Sequence, residues 1–491
     1  NSIASGGNYN VVVGDEAGTA ITTGDNNVAV GYVAGDALTT GGSNVAIGKS
    51  ALTADTLGST SIAIGDSALG TQNFTTATNA YNVAIGHQAG VLVTTGVRNT
   101  LIGGTSGQGL TTGGENVAIG YGALYTDDLG SHNVAVGVSA LQSQNFATAT
   151  DSNNTAVGYS AGLSVTTGTL NTVIGAGAGS GLTEANRNVA VGKDAMRANT
   201  LGSRNVAVGE SALDAMNLTT ATDSYNIGVG YFAGGSVTTG AYNTLVGGLT
   251  GDAITDADYN VAMGYLALSA NTLGSRSTAI GTVALAAQNF TTATDAYNTA
   301  VGYQAGGSVT TGVQNTFLGG LSGDALTDAD YNAGLGFGTL STDTLGSKST
   351  AVGYAALQNQ NFTTATDSFN TAVGYEAGNS VTTGIEDTLI GALAGDALTT
   401  GKENVAVGYR SLSGDTQGKR SIAIGKDALR VQNFTTATET YNVAVGHAAG
   451  EAVSTATGQT LIGGLAGDAI TTGADNTAVG YQALTTNQTS A

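Results

Sequence analysis

One short pattern of polar and apolar positions recurs along the chain. A polar residue is followed by an apolar or β-branched triad and then a glycine, as in Asn27-Val28-Ala29-Val30-Gly31 and Asn82-Val83-Ala84-Ile85-Gly86. With the final glycine as marker, the first five copies close at Gly14, Gly31, Gly48, Gly65 and Gly86, spaced 17, 17, 17 and 21 residues apart. The sum is 72, and the cycle restarts at Gly86, Gly158, Gly230, Gly302, Gly374 and Gly446, giving 27 copies by Gly480. A triad this short, rich in Val, Ile and Thr and punctuated by glycine, predicts strands and turns rather than helix, whose interior loses about 1 kcal/mol per glycine. No 17-residue unit can bury a core alone, but stacked copies can. The expectation is an all-β fold: a parallel β-solenoid (β-roll) of 17-residue rungs, each with two short strands and two turns, in a 72-residue four-rung super-repeat. It spans 1–491 as one repetitive domain. At about 4.8 Å per rung, 27 rungs would make a rod roughly 130 Å long.

The four rung types carry different loops. The first has Val-Thr-Thr-Gly (Val93–Gly96), the second Gly-Asp-Ala-Leu-Thr (Gly35–Thr39), and the third Thr-Leu-Gly-Ser (Thr56–Ser59). The fourth holds the four extra residues in Gln-Asn-Phe-Thr-Thr-Ala-Thr (Gln72–Thr78). The position four before the marker is Asn in 21 of 27 copies, which points to a stacked amide ladder at a corner where Asn tolerates a left-handed turn.

Successive strand side chains face opposite sides. The outer two residues of the triad are expected inside the coil and the middle one outside. The middle position is nonetheless never polar, so a second surface is expected to cover it. The candidate subunit interface is therefore Ala29, Ala46, Ala63, Ala84, Leu101, Ala118 and Ala135, continued by Leu245, Phe317, Leu389 and Leu461, with an identical chain as the simplest partner. Where the middle residue is large, the residue after the marker is small: Leu101 goes with Gly104, Leu245 with Gly248 and Phe317 with Gly320. Volume compensation in a packed seam would account for this.

Composition narrows the function. Among 491 residues are 77 glycines and no proline, cysteine or tryptophan. Proline would break an inter-rung ladder, and without cysteine there are no disulfides or thiolate metal sites. The net charge of −21 disfavours nucleic acid, and no apolar run approaches the ~20 residues that insert in a membrane. Enzymatic signals are poor. His87 and His447 stand where Tyr159 and Tyr303 stand in other copies, and Gly48-Lys49-Ser50 lacks the earlier glycine of a phosphate loop. No catalytic residue, metal site or cofactor is assigned. Calcium is the one ion considered, at the recurring Asp36, Asp252, Asp324, Asp396 and Asp468, which lie too far apart to share an ion within one chain. Adjacent threonines such as Thr22-Thr23 and Thr94-Thr95 raise ice binding, although neighbouring side chains diverge. The fourth-type insertion is the candidate surface-binding element, with Phe74, Tyr81, Phe146, Phe290, Tyr297, Phe362, Phe434 and Tyr441 offering rings for stacking on sugars. The alternative is that Phe plugs a widened rung and Tyr covers its edge.

Ser61-Ile62-Ala63-Ile64-Gly65-Asp66-Ser67-Ala68-Leu69 resembles the head repeat of YadA-type trimeric autotransporter adhesins, and Asn476-Thr477-Ala478-Val479-Gly480-Tyr481-Gln482-Ala483-Leu484 is similar to phage tail-fibre shaft repeats. The resemblance covers essentially the whole chain, although the adhesin rung is shorter than 17 residues. It implies a trimeric left-handed β-roll that displays binding surfaces. The expected role is that of a non-enzymatic structural and adhesive fibre, extracellular, on a virion or a bacterial surface. Its partners would be itself, as homotrimer or filament, and a host-surface glycan or protein. The alternative is a monomeric or end-to-end polymerising solenoid that forms an extracellular filament. The chain opens inside one rung and stops inside another at Ala491, and the expectation is either cuts through a longer array or surfaces for end-to-end stacking.

Overall fold

The computed structural model describes residues 6–486, so Ala491 lies outside the described residues. All of the regular structure among them is β. The chain groups into two compact units, Asn1–Tyr242 and Asn243–Ala491. The first contains thirteen three-residue strands, from Val11–Val13 to Ile227–Val229, and the second contains fourteen, from Thr244–Val246 to Thr477–Val479. There is one strand per marker glycine.

Within each unit, a strand pairs in parallel with the same triad of the next rung. Val28, Ala29 and Val30 lie opposite Val45, Ala46 and Ile47. Across the 21-residue rung, Ile62, Ala63 and Ile64 lie opposite Val83, Ala84 and Ile85, so the insertion is absorbed outside the strand. This is the parallel β-solenoid that the spacing predicts. The second strand per rung is confined to third- and fourth-type rungs, where two-residue pieces such as Gly130–Ser131 and Thr150–Asp151 pair. The rest of the perimeter is turn, but its N–H groups still donate along the stack: Gly18 to the Ala34 carbonyl (3.0 Å), Thr22 to that of Thr39 (2.9 Å) and Val33 to that of Asp15 (3.0 Å).

The marker glycine has no substitute. At Gly120 φ is +134°, and a Cβ would lie 2.5 Å from the Gly137 carbonyl oxygen of the next rung. Both the dihedral and the close approach exclude a side chain. The corner before each Asn is left-handed without glycine, as at Asn26 (φ 62°) and Arg98 (φ 58°). The left-handed residue is thus one position earlier than the Asn expected to adopt it. Such a conformation costs about 1–2 kcal/mol. An inter-rung bond offsets it, as from the Arg98 N–H to the Ala80 carbonyl (2.7 Å).

The two sides of the strand are the reverse of the sequence expectation. Ala29, Ala46, Ala63, Ala84, Leu101, Ala118 and Ala135 are fully buried inside their own coil, as are Leu245, Phe317, Leu389 and Leu461. They are not a subunit interface. The outer triad residues face away from the core and stay partly exposed, Ile119 at 37 % and Met263 at 41 %. The reason is room. The interior is a narrow slot shared with Ala51, Leu52 and Leu69, also fully buried, and one small side chain per strand fits where two β-branched ones do not.

The correlation with the residue after the marker has another origin. Leu101 fits because Gly90 and Gly107 flank it: a Cβ at either would approach its methyls to 2.5 and 2.6 Å. Third- and fourth-type rungs, which have no large residue in the strand, carry Leu or Met at that place instead, as at Leu52, Leu69 and Met196. The small Gly104 and Gly320 lie outside, under the Tyr121 and Phe337 rings of the next rung, 3.4 and 3.5 Å from where a Cβ would be.

The Asn column is a buried ladder, tied mainly to backbone. Asn44 accepts from the Ser61 N–H through Oδ1 (2.9 Å) and donates from Nδ2 to the Gly58 carbonyl (2.9 Å). Asp387 replaces one Asn. Its Oδ1 accepts from the Asn404 N–H (2.9 Å) and Nδ2 (3.1 Å), while Oδ2 is buried without a partner. Burial pushes its carboxyl up to about 8, against the Asn404 bonds and with help from Asp415 and Glu386. An amide donates from that place at any pH; a carboxyl must hold a proton to do so. Because the folded value lies above the unfolded one near 3.9, the stability associated with neutral Asp387 is complete below about pH 4 and lost as pH rises towards 8. Asp387→Asn is expected to stabilise the chain by about 1.4 kcal/mol per pH unit over that window, and by a constant amount above it. Urea unfolding at pH 4, 6 and 8 measures this, and an equal difference at all three contradicts it.

Candidate functional site

The fourth-type insertion lies beside the third-type loop of the preceding rung, and buried polar groups fix the corner. Gln72 donates from Nε2 to Asp55 Oδ2 (2.6 Å) and Ser61 Oγ (3.0 Å) and accepts from Asn82 Nδ2 (2.9 Å). Asp55 Oδ1 takes the Gly58 N–H (3.0 Å) and the Phe74 N–H (3.3 Å). Burial raises the Asp55 carboxyl, and the Gln72 bond opposes that.

This arrangement turns the phenylalanines inward. Phe74, Phe146, Phe290, Phe362 and Phe434 are 5–7 % exposed. They are not surface binders but plugs for the widened rung. The glycine of the Thr-Leu-Gly-Ser loop makes room for the ring, since a Cβ at Gly274 would come within 2.6 Å of Phe290. Tyr81, Tyr297 and Tyr441 remain on the surface, 51–55 % exposed. Each occupies the left-handed corner before a ladder Asn, at φ 50–53°.

Sequence reading missed the basic partners of these rings. Arg276 lies between Tyr259 and Tyr297, 5.0 and 5.8 Å from their centroids. Arg204 lies over Tyr225 (5.6 Å), Lys348 over Phe369 (5.2 Å) and Arg420 over Tyr441 (5.7 Å). Each cation also meets the carboxylate that directly follows the insertion: Arg204 meets Asp223 (2.8 Å), Arg276 Asp295 (2.9 Å), Lys348 Asp367 (2.5 Å) and Arg420 Glu439 (3.0 Å). His132 lies 3.1 Å from both Glu115 and Asp151. A signal for these pairs was present in the sequence. The residue after Thr-Leu-Gly-Ser and the residue after the Thr-rich insertion are opposite in charge potential in five super-repeats, and both are neutral in the first, as Thr60 and Asn79. Arg420, hydrogen-bonded by Glu403 and by the Tyr441 hydroxyl, is pushed above its ordinary range, and its bond to Glu403 lowers that carboxyl. The edge therefore offers ring faces beside cations already bound by carboxylates.

The recurring aspartates stay separate. Among the described residues no three His, Asp or Glu side chains converge as a metal site would require. Asp36 Oδ1 accepts from the Thr53 hydroxyl (2.5 Å). The buried Oδ1 atoms of Asp252, Asp324, Asp396 and Asp468 have no hydrogen-bond partner. Burial raises the carboxyls of Asp252 and Asp324, and that of Asp396 to about 6. Asp324, with Val283, Gln304, Gly307 and Ser308, lines a shallow cavity of about 180 Å³. The corner threonines spend their first hydroxyl on the next rung, Thr22 donating to the Thr39 carbonyl (3.0 Å) and Thr94 to that of Thr111 (3.2 Å).

No protein-family model matches the chain, and no curated protein matches it.

The plug and the edge ring should separate in stability. Phe290→Ala is expected to cost about 3–5 kcal/mol, and Tyr297→Ala to change stability by no more than about 0.5 kcal/mol. Denaturant unfolding of the two variants reads the difference; equal effects contradict the assignment of Phe290 to the core.

Proposed function

We propose that the chain is a non-enzymatic structural fibre of an extracellular surface, a virion tail fibre or bacterial adhesin, that associates side by side with copies of itself and displays its loop edges for attachment. The observation that carries the reading is the outer face of the strands. The residue before the marker is Val, Ile, Leu or Met in all 27 copies, and the one two places earlier is Val, Ile, Thr or Ala. Neither row contains a charge, in a chain of net charge −21. Thirteen strands of three residues present roughly 600 Å² in the first unit, and fourteen slightly more in the second. Each alone comes near the ~800 Å² that one partner contributes to a standard interface, and aliphatic patches of this size mark interaction surfaces. A second copy is the occupant because it brings the same uncharged rows at the same rung spacing. The likeness of Ser61–Leu69 to trimeric adhesin heads favours three copies. Display at fixed intervals would make attachment multivalent, towards a glycan or protein.

Light scattering tests the assembly. The trimer reading expects about three times the 48.0 kDa chain mass, and the double variant Ile280→Asp, Val301→Asp is expected to shift the species towards one chain. A wild-type mass of one chain excludes side-by-side association and leaves the monomeric solenoid. Masses that grow without limit with concentration favour end-to-end polymerisation.

A further inference from the structure

The corner opened by the fourth-type insertion carries a second feature, independent of the assembly. Asn73-Phe74-Thr75, Asn217-Leu218-Thr219, Asn289-Phe290-Thr291, Asn361-Phe362-Thr363 and Asn433-Phe434-Thr435 share the Asn-x-Thr pattern at which sugars are attached to amide nitrogen. We infer that these five asparagines are acceptors for N-linked sugar.

The geometry presents the reacting atom. In each copy the Asn carbonyl is held by a threonine hydroxyl of the preceding rung: Thr56 to Asn73 (3.0 Å), Thr200 to Asn217 (3.0 Å), Thr272 to Asn289 (2.7 Å), Thr344 to Asn361 (3.2 Å) and Thr416 to Asn433 (3.0 Å). The bond uses Oδ1 and leaves Nδ2 without a hydrogen bond. Asn73, Asn217, Asn289 and Asn433 are exposed and Asn361 is half-exposed, and the threonine two positions on is exposed in all five. The residue between them points into the core, so Asn and Thr project together from a fixed turn. Asn289 is nine residues after Ile280 and ten before Thr299, midway round the coil from the aliphatic face. A sugar there leaves that face clear.

In the reaction, the amide nitrogen attacks the anomeric carbon of a sugar activated as a nucleotide or polyprenyl diphosphate. The N–C1 bond forms, the C1–O bond breaks, the diphosphate leaves with the electron pair, and the amide loses one proton.

The second super-repeat provides an internal control. Asn145 occupies the same exposed corner, but Ala147 replaces the pattern's threonine and Asp128 the tethering one. Asn153-Asn154-Thr155 has the pattern in another setting: Asn153 Nδ2 donates to the Asp151 carbonyl (2.9 Å), and Thr155 begins a strand. Asn487-Gln488-Thr489 lies outside the described residues.

The test incubates the folded full chain with UDP-glucose and a soluble N-glycosyltransferase of Asn-x-Ser/Thr specificity, then maps hexose-bearing peptides by mass spectrometry. A synthetic peptide spanning Gln288–Thr294 verifies that the enzyme accepts the sequence. Hexose is expected on Asn73, Asn217, Asn289, Asn361 and Asn433 and absent from Asn145 and Asn153. Ala147→Thr is expected to add Asn145, and Thr291→Ala to remove Asn289 alone, with circular dichroism verifying the fold of both. Modification of the peptide but of none of the five sites in the folded chain overturns the inference, as does hexose on Asn145 of the unaltered chain.

Discussion

The structure depends on how closely one turn of backbone approaches the next. Along the rungs within each unit, the marker glycine's α-carbon lies so near the following rung's carbonyl that a methyl group has no room, and φ there is in a range closed to other residues. This contact fixes the path of every rung relative to its neighbour. Once the corner is fixed, equivalent residues stack in columns, and each column must solve one packing or hydrogen-bonding problem many times over. The Asn column ties side chain to backbone, the first threonine of each corner pair donates to the next rung's carbonyl, and the strand triads keep a register that a one-residue slip would invert.

Much of this was legible. Marker spacings of 17 and 21 residues, the lack of proline and the Asn column gave the architecture and the parallel register. The side of the strand that faces inward was not read correctly, because the triad is apolar at all three places and alternation alone does not say which set is inside. The deciding clue was parity. The ladder Asn, as at Asn27, and the middle residue, Ala29, are two apart and share a face, so a buried ladder requires a buried alanine. The exchange of Leu52 and Leu69 for Gly90 and Gly107 beside Leu101 pointed the same way. At the candidate site the sequence left two readings of the phenylalanines, surface ring or plug of the widened rung, and burial decides for the plug, with the tyrosines at the surface. The Arg–Asp pairs lie about twenty residues apart in sequence and become neighbours only through stacking.

The perimeter separates different surfaces. The strand side is aliphatic and uncharged. The corner before the Asn column has aromatic rings locked to cations and carboxylates, so it presents little net charge despite its many ionic groups. The insertion tips are hydroxyl-rich and hold amides in fixed orientation. Each unit therefore carries one uncharged aliphatic side, with polar and aromatic edges that recur every 72 residues.

The central claim is that the alanine row lies within the coil and the β-branched rows outside it. The chain has no cysteine, so single-cysteine variants report one position each. Thiol labelling of Ala118→Cys and Ile119→Cys in dilute folded protein tests the claim most directly. The account requires Ile119→Cys to react readily and Ala118→Cys only on unfolding; rapid labelling of Ala118→Cys in the folded chain would contradict it.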